Sequence, residues 1–101
     1  RDGVVVDLQG PQAGILRKAL EGLGEAAYII GELGVGTNDK AVICGEVLED
    51  EKVLGTIHLA LGNNSFFGGT IQVASHLDGI LREPTVLIDG ELLLEKGRLI
   101  L

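Results

Sequence analysis

Apolar and polar positions alternate with a period of two over much of this chain, and one stretch carries the longer period of a helix. The run Val4–Leu8 reads as a short strand broken by Gly10-Pro11, and Pro11 suits the first turn of a helix. From Gln12 to Leu23, the residues Ile15, Leu16, Ala19, Leu20 and Leu23 follow the spacing of an amphipathic helix, ended by Gly22 and Gly24. Ala26–Leu33 is strand-like and gives way to a turn carrying Gly34, Gly36 and Asn38. Ala41–Ile43 begins a further element, and Val47–Leu54 predicts a short, acid-rich helix. Thr56–Leu61 and Thr70–Leu77 read as two strands joined by the loop sequence GNNSFFGG. After Pro84, TVLIDGELLLEKGRLIL predicts strand, turn, strand, turn, strand, with Asp89-Gly90 the best hairpin signal in the chain. The fold class expected is α+β: a strand-dominated single domain over residues 1–101, with one or two short helices and a C-terminal hairpin or meander.

Composition narrows the function. A chain of 101 residues with 46% hydrophobic content builds one modest core. No run approaches the roughly 20 apolar residues that cross a bilayer, and no secretory pattern opens the chain. The net charge of −7 argues against nucleic-acid partners and against anionic membrane surfaces. A single cysteine, Cys44, excludes an internal disulfide and fits a reducing, cytoplasmic setting; it is expected as a small buried apolar residue. The absence of methionine predicts a piece of a longer polypeptide or a processed product.

Candidate chemistry lies in the two histidines and their surroundings. Strand periodicity sends His76 and Asp78 to one face, and sets His58, Ala60 and Gly62 opposite Ile57, Leu59 and Leu61. If the two histidine strands pair, two imidazoles and a carboxylate converge among small neighbours. Such a set suits a catalytic divalent metal with open positions, either zinc or non-haem iron. Glu32 is a lone carboxylate among apolar neighbours in AYIIGELG, a costly position without a partner. Glu32 either caps a turn, forms a salt bridge to Lys40 or Lys52, or shares a metal with His58, His76 and Asp78. Four such ligands fit one or two ions of zinc, cobalt or iron. The run Glu49, Asp50, Glu51 reads as the solvated start of a helix. Gly34-Val35-Gly36 and Gly68-Gly69 lack the lysine and helix of a phosphate loop, and read as turns or as places where backbone passes close to a site.

The motifs ELGVGTN, DEKVLGTIHLALG, GGTIQVASHLDG and PTVLIDGELLLEKG, in that order, resemble the C-terminal part of the aminopeptidase T group of leucyl aminopeptidase-like metallopeptidases. The resemblance runs from about Ala26 to the end. It implies metal ligands at Glu32, His58, His76 and Asp78, and a metal-activated water attacking the N-terminal peptide bond. It also implies a peptide substrate with a free N-terminus, and a homodimer. Two features depart from the pattern: the group's further carboxylate ligand comes from an upstream segment, and Ser65, Phe66 and Phe67 stand where a tyrosine ligand is expected. No general base is identified. A dihydroxypyridine ring-cleaving dioxygenase resembles the same group yet uses iron, so two alternatives stand beside the hydrolase. One is a non-haem iron dioxygenase using His58, His76 and Asp78 with Glu32 in support. The other is a non-catalytic oligomerisation or interaction domain with exposed edge strands.

Overall fold

The expected alternation becomes six strands in two three-stranded sheets in the computed structural model, which describes residues 1–100. The first sheet has the order β1-β2-β3, with β1 at Ile30–Val35, β2 at Ile57–Gly62 and β3 at His76–Leu81. The second has the order β4-β5-β6, with β4 at Val86–Ile88, β5 at Glu91–Glu95 and β6 at Arg98–Leu99. Two short helices, α1 (Ala13–Leu20) and α2 (Val47–Asp50), complete the strand-dominated α+β class, and two single 3₁₀ turns lie at Glu25–Tyr28 and Ser65–Phe67. The chain divides into two compact units: Arg1–Glu32 with Ala60–Leu77, and Leu33–Leu59 with Asp78 onward. Among the described residues, no helix is long and apolar enough to cross a membrane.

In the first unit, α1 stops at Leu20 instead of Leu23. Glu21 is extended (φ −59°, ψ 133°) and Gly22 takes φ 79°, a left-handed backbone that glycine adopts without strain. Leu20 is fully buried, whereas Ile15 is 71% exposed, so only part of the periodic stripe reaches the core. Arg17 and Lys18 in the last turn suit the negative end of the helix dipole. The strand expected over Ala26–Leu33 begins later, because Ala27 N–H donates to the Gly24 carbonyl and Ile29 N–H to that of Ala26, closing a 3₁₀ turn. The strand expected at Val4–Leu8 contracts to an isolated bridge between Val4 and Ile29.

The largest departure is in Thr70–Leu77, where regular pairing starts only at His76. The backbone before it is spoken for by the asparagine loop. Asn64 N–H donates to the Ile71 carbonyl, the Ile71 N–H donates to the Asn64 side chain, and Asn63 N–H donates to the Ser75 carbonyl.

In the second unit, α2 ends at Asp50, short of the expected Leu54. The Asp50 carboxylate is 8% exposed and accepts the backbone N–H groups of Cys44 (2.8 Å) and Gly45 (3.1 Å), so it braces the preceding loop. Cys44 is exposed instead of buried, and its thiol donates to the Glu49 carboxylate at 3.2 Å. A hydrogen bond from the Glu46 backbone pulls the thiol pKa down. The bond to Glu49 and the negative charges of Glu49 and Asp50 outweigh it and hold the pKa above its ordinary value.

The C-terminal meander forms as expected. Asp89 (φ 52°) and Gly90 (φ 84°) are both left-handed, as a two-residue hairpin turn with the correct twist requires, and Ile88 faces Glu91 across it. Lys96 (φ 48°) and Gly97 (φ 78°) repeat the device, placing Glu95 opposite Arg98. Leu94 at the centre of β5 is fully buried.

Two outcomes are expected. Truncating Leu94 to alanine lowers stability by about 2–5 kcal/mol in urea unfolding, through lost contacts and a cavity. Glu49→Gln, which removes a negative charge beside the thiol, speeds alkylation of Cys44 by iodoacetamide at pH 8.

Candidate metal centre

Each of the two histidines meets a carboxylate within its own unit. In the first unit, Glu32 lies on β1 and His76 opens β3, and His76 Nε2 stands 3.3 Å from Glu32 Oε2. Both side chains are about three-quarters buried, at 24% exposure. The other ring nitrogen, His76 Nδ1, lies 2.7 Å from the Asn63 carbonyl. A carbonyl only accepts, so Nδ1 carries the hydrogen and donates it there. That leaves Nε2 facing the Glu32 carboxylate. A carboxylate and a ring nitrogen at this distance are joined by a hydrogen on Nε2 or by a shared cation.

The Asn63 carbonyl is itself held in place. Asn64 Nδ2 donates to the Gly31 carbonyl (2.9 Å) on β1, and Asn64 Oδ1 accepts from Ile71 (3.0 Å). The Asn63 side chain accepts from both the backbone and the hydroxyl of Ser65. Glycine is needed for this approach: a Cβ at Gly31 would run into the Gly62 carbonyl, and one at Gly69 into the Asn64 side chain.

In the second unit, His58 on β2 is 6% exposed. Its Nε2 lies 4.0 Å from Glu51 Oε2, whose side chain is 13% exposed and also pairs with Lys52. Alternation places His58 beside Ala60, and that face is deeply buried: Ala60 has no exposed area, while Leu59 on the opposite face is half-buried. Room for the ring comes from Gly34 on β1, where any Cβ would fall inside the imidazole. Asp78 is half-buried on β3, two residues beyond His76 and so on the same strand face.

Of the four expected ligands, Glu32 and His76 are thus in direct contact. His58 has Glu51 as a carboxylate neighbour, and the expected solvated run Glu49–Glu51 is not uniformly solvated. Glu51 is the functional candidate that periodicity misses. The DEK segment lies within the resemblance, but no short-range pattern distinguishes a carboxylate just past a one-turn helix from its exposed neighbours. Carboxylate and imidazole together are the donor chemistry of zinc, cobalt and iron(II) sites, so the residues present fit such an ion.

No family model matches the chain, and no curated protein sequence matches it. A solved structure does: a 2,5-dihydroxypyridine dioxygenase from Pseudomonas putida KT2440, with a TM-score of 0.84 and 22% sequence identity over 97% of this chain. The likeness is one of fold. The chain spans 31% of the length of that enzyme.

Gly34→Ala is expected to lower stability by about 1–3 kcal/mol, since the His58 ring must shift for the new methyl group. Thermal unfolding of this variant beside Gly79→Ala on β3, where a Cβ meets only the Leu59 carbonyl oxygen at 3.8 Å, separates the clash from the general effect of replacing a strand glycine.

Proposed function

We propose that this chain carries the metal-binding segment of a non-haem iron dioxygenase acting on a hydroxylated aromatic ring, with Glu32, His58, His76 and Asp78 as the metal donors and Glu51 beside His58. The observation that carries the reading is the Glu32–His76 contact, in which one ring nitrogen is committed to the Asn63 carbonyl and the other is aimed at a carboxylate. Further support comes from donor type, since the imidazole–carboxylate pairs Glu32–His76 and Glu51–His58, each within one unit, offer the donors suited to such an ion. The shared fold with a dihydroxypyridine dioxygenase favours oxygen chemistry over hydrolysis.

When bound, iron(II) supplies the redox capacity for reaction of a dihydroxylated ring with dioxygen. The protein's part is positional and electrostatic. Asn63 fixes His76 in the ligating tautomer, and Gly34 admits the His58 ring to β1. The carboxylates of Glu32 and Asp78 offset the charge of a divalent ion, and the low exposure of His58 keeps competing water from its ring. The aminopeptidase reading uses the same donors with zinc or cobalt, whose role would be to lower the pKa of a water near a peptide carbonyl. A peptide substrate and a homodimer belong to that reading.

Anaerobic calorimetric titration with Fe²⁺ tests the centre: the chain binds with a saturable isotherm, and His76→Ala weakens binding at least about tenfold. Unchanged binding in that variant removes His76 from the site. Oxygen uptake on 2,5-dihydroxypyridine, set against hydrolysis of leucine p-nitroanilide with Zn²⁺ or Co²⁺, separates the two chemistries.

A further inference from the structure

The chain holds two phenylalanines and one tyrosine, and both phenylalanines sit side by side on the loop next to His76. Phe66 and Phe67 are 67% and 51% exposed, although a phenyl ring is among the side chains that gain most from burial. Their rings meet edge to face, with centroids 4.5 Å apart at 86°. The Phe66 ring stands 5.2 Å from the His76 imidazole at 69°, and the Phe67 ring 6.5 Å from it at 83°.

The loop that presents them is braced. Phe67 N–H and Gly69 N–H both donate to the Asn64 carbonyl, and Gly68 N–H donates to the Ser65 carbonyl. Gly68 closes the turn at φ 93°. The Asn64 side chain ties the same loop to Gly31 on β1. An exposed aromatic pair on a hydrogen-bonded loop, with its rings against a candidate metal ligand, has the character of a ligand-facing surface.

We propose that Phe66 and Phe67 form a platform that holds a planar aromatic ring beside His76, so that hydroxyl groups on that ring reach the metal donors. The ligand class is a dihydroxylated aromatic ring. The phenyl edges and faces contact its π-surface, and its oxygens face the Glu32–His76 pair. This deepens the dioxygenase reading and rests on it.

The test uses the 101-residue chain, 4-nitrocatechol as a chromophoric probe and trans-cyclohexane-1,2-diol as its saturated counterpart. Phe66→Leu, Phe67→Leu and the double variant keep apolar bulk while removing the π-face. Each substitution is expected to weaken 4-nitrocatechol binding by about 2- to 10-fold. Binding of Fe²⁺ in anaerobic calorimetry and binding of the cyclohexanediol both stay within about twofold of the parent chain. Equal affinity for 4-nitrocatechol in the parent and the double variant overturns the platform. Failure of the parent chain to bind Fe²⁺ overturns the donor assignment instead. The platform is then judged on the metal-free chain, where the same dependence on the two phenyl rings must appear or the proposal falls.

Discussion

A carboxylate oxygen 3.3 Å from an imidazole nitrogen, with the far side of that imidazole already pledged to a backbone carbonyl, is the constraint that organises this molecule. Partial burial makes such a pair expensive, because a carboxylate and a ring nitrogen both give up water. A hydrogen or a cation between the two atoms offsets that cost. The two histidines of the chain both have acidic neighbours, Glu51 for His58 seven residues away and Glu32 for His76 more than forty residues away. The fold goes to some length to bring them together.

Small residues make that possible. Gly34 leaves the space that the His58 ring fills, Gly31 and Gly62 bring backbone against backbone, and Gly69 makes way for the Asn64 side chain. These positions trade the strand propensity of larger residues for close approach. Asn64 then acts as a brace between β1 and the loop that orients His76. The same loop displays the two phenyl rings, so one braced segment both aims a candidate ligand and shapes the surface next to it.

Local rules carried the sequence reading where they suffice. Asp89-Gly90 is a hairpin because both residues tolerate left-handed backbone, a property of two residues alone. Alternation groups His58 with Ala60 on one face of β2, but which face is buried depends on tertiary packing. Local pattern does not determine structure where distant groups compete for the backbone. Thr70–Ser75 has the composition of a strand, but its hydrogen bonds go to Asn63 and Asn64. Cys44 was expected inside, and it is drawn to the surface by the acidic helix that braces its loop. Glu51 was hidden for a related reason: its burial depends on β2, and no residue near it in sequence reports that. The pairing of Glu32 with His76 joins positions more than forty residues apart, which strand alternation makes plausible and only tertiary structure supplies.

The most direct measurement is ¹⁵N NMR of the histidine rings as Zn²⁺, a diamagnetic stand-in for iron(II), is added. The account predicts that His76 Nδ1 keeps the signature of a protonated nitrogen, bonded to a carbonyl, while His76 Nε2 moves to that of a metal-bound nitrogen at one equivalent. If the nitrogens of both rings are unmoved by saturating Zn²⁺, the carboxylate–imidazole contacts are structural ion pairs and no metal centre exists in this chain.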